Sequence, residues 1–170
     1  MFVLKLKHWQ VFIPLVLAFF VMNITVEGNP QLSGILTAIG LSIWFGWLFL
    51  TGNSLYQLLP ARIEVNHTLY IINSFLWIGV YAIIMIISDG QGMTFEGWIA
   101  LPFFYVAFAF LHSLTFPAKM LVSIEKNRKA TFGEYFGTFL LFCFTPIGIW
   151  LIQPRINRIV NNEVNEEPAN

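Results

Sequence analysis

Long apolar runs, separated by short polar segments, make up most of this chain. A helix needs about 20 consecutive apolar residues to cross a bilayer, and four of the runs have that length. Polar connections of only a few residues lie between them, as expected for helices that cross and return. The pattern predicts four transmembrane helices, at residues 9–26, 34–55, 68–88 and 97–118.

The first run admits a second interpretation. Lys5 and Lys7 precede it, and a basic start before an apolar core is also typical of a secretory signal peptide. The run is longer than a usual signal-peptide core, and no A-x-A cleavage site follows it. We therefore interpret it as an uncleaved first span, with Pro14 near its start.

The last apolar run, residues 135–152, carries helix-disrupting residues at its centre. The part before them, 136–144, would extend about 14 Å as a helix, roughly half the hydrocarbon thickness. Thr145, Pro146 and Gly148 stand where a turn would then be needed. The sequence favours a re-entrant hairpin over the alternative, a fifth span kinked at Pro146.

An amphipathic stretch follows at residues 153–160. Pro154 is expected at the first helical position, and one face would carry Ile152, Ile156, Ile159 and Val160. This pattern is typical of a helix lying in the membrane interface. Residues 161–170 are polar and acidic and are predicted to be a disordered tail.

The fourth helix is expected to continue past Pro117. Glu125 and Lys129 would then form a favourable pair four residues apart. The second span carries small residues at every fourth position, which predicts a stripe of close helix packing: Gly34, Ala38, Ser42 and Gly46.

Basic residues orient the chain, because they are enriched at the cytoplasmic ends of spans. With four alternating spans, seven basic residues fall on one side, and the turns at 27–32 and 89–96 have none. Arg155 and Arg158 join the seven only if the last run is re-entrant. We expect a cytoplasmic N-terminus, in the cytoplasmic (inner) membrane.

Composition agrees with a membrane protein. Hydrophobic residues make up 57% of the chain and charged residues 11%, against about 25% charged in soluble domains. The formal net charge of zero argues against nucleic-acid binding. Cys143 stands alone, so the 170 residues hold no intrachain disulfide. The sequence predicts an all-α, multi-pass transmembrane helical bundle, with residues 1–160 as one membrane domain.

Two segments carry a resemblance to a known group. KHWQ at residues 7–10, before an apolar run, and PIGIWLIQPRIN at residues 146–157 resemble an uncharacterised family of small bacterial integral membrane proteins. The segment at residues 118–137 is also similar. The resemblance implies a bacterial membrane location. It implies no mechanism, and no functional residue is carried over from it.

Candidate chemistry is sparse. A polar site toward the cytoplasmic face could be assembled from His8, His67, His112, Glu64 and Glu134. Imidazole is a common metal ligand, but no two histidines have the three- or four-residue spacing of a helical metal site. We predict no catalytic, metal or cofactor site. Glu134 is expected to pair with Lys119 or Arg128, or to favour the start of a helix.

The most polar group within a span is His112, Ser113 and Thr115. It could form a proton relay or contact a polar substrate. The structural alternative, which we favour, has the hydroxyls bonding to their own helix and His112 bonding a neighbouring helix.

Three function classes remain. A non-enzymatic accessory or helix-packing component is favoured, with the lipid bilayer and other membrane proteins or further copies of the chain as partners. Transport through a cavity at the broken helix near Pro146 is the first alternative. A membrane enzyme acting on lipid head groups is the second. A polar cavity at the hairpin would favour transport, and convergence of the histidines with Glu64 or Glu134 would favour an enzyme.

Overall fold

The described part of the chain is entirely helical, as the sequence predicts. A computed structural model describes residues 2–88 and 92–166. These residues form a 3₁₀ helix, Gly97–Ala100, and seven α-helices: α1 (Phe2–Lys5), α2 (His8–Met22), α3 (Pro30–Gln57), α4 (His67–Ile87), α5 (Leu101–Glu125), α6 (Phe132–Cys143) and α7 (Thr145–Glu166).

Three helices, α3, α4 and α5, are long and apolar enough to cross a membrane. The predicted first span is shorter than expected, because α2 has only 15 residues and reaches about 22 Å. It ends at Asn23, and the chain turns through Gly28, whose φ of 76° suits glycine. The Asn29 side chain accepts a hydrogen bond from the Leu32 N–H, so α3 begins earlier than predicted.

Helix α3 is the centre of the bundle and packs against α2, α5, α1 and α4. Two glycines other than the predicted ones allow its closest contacts. A Cβ at Gly40 would overlap the Ala18 carbonyl on α2, and one at Gly52 would overlap the Tyr70 ring on α4. The Tyr70 ring stacks on Phe116 of α5, with centroids 4.1 Å apart. Close backbone approach at small residues is the usual way in which helices associate within lipid.

Helix α5 continues past Pro117 as predicted, but it ends at Glu125. The chain reverses at Asn127, which has a φ of 51°. The Arg128 N–H donates to the Ser123 carbonyl and the Asn127 N–H donates to the Ile124 carbonyl, which is a Schellman ending. The predicted Glu125–Lys129 pair is therefore wrong, because the two residues do not share a helix. Glu125 binds Arg155 instead, through Nε and Oε1 at 2.8 Å.

The last apolar run forms two helices, with a break at Phe144 between α6 and α7. Two predictions fail here. Helix α7 begins at Thr145, so Pro154 lies inside it rather than at its start. The residues 161–166, predicted to be disordered, continue α7, and residues 167–170 lie outside the described part of the chain. The apolar face of α7 packs in the protein core, with Ile149, Ile152 and Ile156 fully buried, so this face is covered by protein rather than free to lie against lipid.

The α6–α7 hairpin returns to the end of the bundle from which it starts. The guanidinium of Arg155 reaches Glu125 at the end of α5, and the Gln153 side chain donates to the Leu6 carbonyl at 2.8 Å. At the same end, Arg62 donates to the Asn127 carbonyl at 2.9 Å. We call this the basic end. Contacts and shared pockets place Arg62, Lys119, Lys126, Arg128, Lys129 and Arg155 there, and Lys5, Lys7 and Arg158 are close in the chain to Leu6 and Arg155.

Candidate functional site

Two hydrogen bonds and one close backbone contact hold the turn of the hairpin in place. Thr145 is buried, and its hydroxyl donates to the Phe142 carbonyl at 2.5 Å. The same oxygen accepts from Trp44 Nε1 on α3 at 3.2 Å, which ties the turn to the central helix. Gly148 lies against the Leu141 carbonyl so closely that a Cβ there would overlap it. The residues singled out in the sequence, Thr145, Pro146 and Gly148, thus form the first turn of α7.

An apolar cavity of about 640 Å³ lies beyond this turn, away from the basic end. Its floor is Cys143, Thr145 and Pro146, and its walls come from α2, α3, α4 and α5. The walls carry mainly aromatic and aliphatic side chains, among them Phe19, Leu41, Trp77, Ile84 and Phe110. The volume is within the usual range for ligand pockets, about 300–1,000 Å³. The cavity exists because the hairpin fills only the basic half of the bundle.

The sides of this cavity offer few hydrogen-bonding groups. The Trp44 indole is already bonded to Thr145, and the Trp77 indole donates to Ser113 Oγ at 3.1 Å. Cys143 is exposed at the cavity floor.

Polar side chains between α4 and α5 form two small networks. Asn73 Nδ2 donates to His112 Nδ1 at 3.3 Å, and the Tyr105 hydroxyl donates to Asn73 Oδ1 at 3.0 Å. Ser113 Oγ donates to its own helix at the Ala109 carbonyl, 2.8 Å away, and lies 3.2 Å from Ser74 Oγ. The structural interpretation of His112 and Ser113 is confirmed, since each makes the bond expected of it.

The three histidines do not converge. His8 packs on Trp150 of α7, with ring centroids 4.6 Å apart, and His67 stacks on Tyr56 at 4.0 Å. His112 bonds Asn73 on the α4–α5 interface. Within the described residues, no group of three or more His, Cys, Asp or Glu side chains is placed to hold a metal ion.

A polar pocket of about 560 Å³ at the basic end does bring together two of the five predicted site residues, Glu64 and His112. Lys119 and Lys129 supply cations to it, and Asn66, Thr115 and Tyr135 contribute further polar side chains. Its floor is apolar, from Val65, Phe116 and Met120. We call it the basic-end pocket.

Glu134 belongs to a separate cluster of charges. Its carboxylate contacts Lys126 Nζ at 2.7 Å and the Arg128 guanidinium at 2.5 and 3.1 Å. It also accepts from the Thr131 N–H at 2.9 Å, at the start of α6. The bonds from Arg128, and then those from Lys126 and Thr131, hold the pKa of Glu134 well below its ordinary value of 4.5. Glu134 thus has both predicted roles. It forms an ion pair, with Arg128 rather than Lys119, and it stabilises the start of α6.

The small-residue stripe on α3 does not meet another helix of the described chain. Ala38 and Ser42 are exposed, and a Cβ at Gly34 or Gly46 would meet no other atom within 4 Å. Gly34, Ala38 and Ser42 line a shallow groove beside α4. The prediction of close packing through these residues is therefore wrong within the chain, because the register places Gly40 and Gly52 at the contacts.

Sequence reasoning missed several residues of the two pockets and of the α4–α5 networks. Asn73 and Ser74, in the networks, gave a signal as a polar pair inside the third span. Lys119, in the basic-end pocket, gave a weaker one, being a lysine on the part of the fourth helix that continues past Pro117. Trp44 and Trp77 gave none, since aromatic residues occur throughout the chain.

Comparison with protein-family models, curated proteins and solved structures finds no match to this chain.

Proposed function

We propose that the chain is a four-span protein of the bacterial inner membrane with its N-terminus in the cytoplasm. Helices α2 to α5 cross, and the α6–α7 hairpin enters from the cytoplasmic side and returns. The return of Arg155 to Glu125 supports the hairpin. The gathering of all nine lysines and arginines at one end supports the orientation. Helix α2 has 15 residues and is the shortest of the four proposed spans.

Its role, in this proposal, is that of a non-enzymatic accessory component that accommodates one lipid chain in the cavity beyond the hairpin. The observation that carries this is the apolar lining of the cavity. The lining offers water few hydrogen-bonding partners, whereas acyl chains surround the protein at this depth. The chain would bind through dispersion and shape rather than through hydrogen bonds.

Transport, the first alternative, loses the feature that favoured it. The space at the broken helix is apolar. Between this space and the basic end, the fully buried side chains of Phe142, Ile149 and Ile152 fill the interior. An enzyme acting on lipid head groups keeps one supporting observation, the shared pocket of His112 and Glu64. Among the described residues, no hydroxyl or thiol is hydrogen-bonded to His112, whose Nδ1 is engaged by Asn73.

Cysteine labelling tests the arrangement, in a Cys143→Ala background. We expect Glu27→Cys to react with an impermeant maleimide in intact cells, and Ala61→Cys and Asn161→Cys to react only after permeabilisation. All three positions are exposed. Labelling of position 161 with protection of position 61 would mean that the last run crosses the membrane as a fifth span.

A cavity-filling substitution tests the role. Ala107 faces the cavity from α5, and Leu111, one turn away on the same helix, is exposed outside it. Ala107→Trp should remove one phospholipid that the wild type retains in native mass spectrometry from mild detergent, and Leu111→Trp should retain it. Equal retention by all three proteins would refute lipid-chain binding in this cavity.

A further inference from the structure

We propose that the basic-end pocket binds the phosphate group of an anionic membrane lipid. This site is distinct from the apolar cavity, and it lies on the opposite face of α5. The inference rests on the proposed placement of α5 across the membrane, and it adds a second, head-group contact to the proposed function.

The charges of the pocket carry the argument. The described residues give Glu134 two cationic partners and Arg155 a carboxylate. Neither Lys119 nor Lys129 has a carboxylate within 4.0 Å in that part of the chain, although Glu64 lines the same pocket. Lys119 is partly buried, so its ammonium is held near the pocket. Two such cations with nearby hydroxyl and amide donors, from Thr115, Tyr135 and Asn66, match the needs of a phosphate.

The surface beside the pocket favours a lipid over a soluble phosphate. On the face of α5 that carries His112, Thr115 and Lys119, the preceding turns carry Phe104 and Phe108, which are 71% and 50% exposed. Phe108 lies 11 residues before Lys119, about 16 Å along a helix, which is close to half the hydrocarbon thickness. An amphiphile could therefore place its head group at Lys119 and its chains along this apolar strip.

The charges that line the pocket, including that of Glu64, determine which lipid head group it would bind. One carboxylate facing two ammonium groups leaves the pocket with a net positive charge, so an anionic head group gains attraction. The carboxylate still repels the phosphate, and its removal should strengthen binding. A zwitterionic lipid with an ammonium group would show the reverse, because Glu64 would then be its partner.

The test measures binding of fluorescent phosphatidylglycerol to the purified full chain in neutral detergent. Lys119→Gln with Lys129→Gln should weaken binding about tenfold, since each basic residue near an anionic lipid contributes several-fold. The matched control, Lys5→Gln with Lys7→Gln, removes the same charge from the same end outside the pocket and should change binding less than twofold. Glu64→Gln should tighten it.

Three results would overturn the proposal. Equal loss in both double variants would mean a general attraction to the basic end. Loss of affinity in Glu64→Gln would indicate a zwitterionic ligand. Competition by millimolar inorganic phosphate as effective as that by unlabelled phosphatidylglycerol would indicate a soluble ligand. If Lys119→Gln with Lys129→Gln lowers the thermal midpoint, the single variant Lys129→Gln replaces it, because Lys129 is exposed. Failure of this site leaves the Ala107→Trp result unaffected, so the two proposals are judged separately.

Discussion

The three long helices and the terminal hairpin are held in place by different forces. In the most apolar 18-residue stretches of α3, α4 and α5, only 22%, 22% and 33% of the residues are buried inside the protein. Most of their apolar surface therefore faces outward. The hairpin differs in α7, which buries Ile149, Ile152, Gln153 and Ile156 almost completely, although Phe144 and Ile147 at the break are exposed.

The stability of the two regions therefore has different sources. A long apolar helix is placed by the surrounding lipid, because its backbone is satisfied internally. A broken helix at membrane depth must be covered by protein. The hairpin should therefore be sensitive to substitutions at its internal contacts, whereas outward positions of the long helices should tolerate change. Four substitutions probe this contrast, in order of expected effect.

Gly148→Ala should have the largest effect. The added Cβ would overlap the Leu141 carbonyl, so the two arms of the hairpin must separate. We expect a loss of about 3 kcal/mol in the free energy of unfolding in mild detergent. Gly137→Ala is the control in the same hairpin, because its Cβ would meet nothing within 4 Å. A Gly148 variant as stable as the control would mean that the hairpin is looser than described.

Gly40→Ala tests whether α2 is also held by protein contacts. A Cβ there would overlap the Ala18 carbonyl and the Met22 side chain. A loss of about 2 kcal/mol is expected, and Gly46→Ala, where a Cβ meets open space, should be neutral or stabilising. The reverse order of stabilities would restore the small-residue stripe as the packing face of α3.

The Arg155–Glu125 pair tests the return of α7 to the basic end. Two hydrogen bonds join the side chains, at 2.8 and 2.5 Å, and each side chain is 31% exposed. A double-mutant cycle with Arg155→Gln and Glu125→Gln should give a coupling of about 1 kcal/mol, the upper part of the range for exposed pairs. Zero coupling would mean that the Arg155–Glu125 pair does not hold α7 at the basic end.

The smallest effect is expected at Glu134, on the surface at the start of α6. Because its pKa is lowered in the folded protein, its stabilising contribution is complete above the unfolded pKa of about 4.5 and declines as the pH falls from there through the lowered folded pKa. Glu134→Gln should therefore lower the thermal midpoint slightly at pH 7, and this difference should shrink steadily as the pH is lowered below 4.5. A difference that stays constant down to the lowest pH at which the protein is folded would show that the charge is not what matters.

Much of the fold follows from local patterns. The apolar runs predicted helices close to α4 and α5, with the continuation past Pro117, because length and hydropathy act within each segment. The break near Pro146 is predicted by the helix-disrupting residues Pro146 and Gly148, which are also a local signal. The helix ends were less accurate: Asn29 and Asn127 act through hydrogen bonds and backbone angles that hydropathy does not express.

The candidate sites could be predicted only in part. His112 and Glu64 are 48 positions apart, and the pairing of α4 with α5 brings both to one pocket. His8 instead packs on Trp150 of α7, and His67 stacks on Tyr56.

The sequence by itself determined that this is an all-helical chain with segments suited to a membrane, because the apolar runs and the backbone hydrogen bonds within each helix are local properties. The glycines that touch a neighbour, the carboxylate that Arg155 binds and the positions of the two pockets are known only from the tertiary structure. Those features depend on the rotation and depth of each helix against the others. Both are determined by the summed packing of many side chains, and no single motif records them.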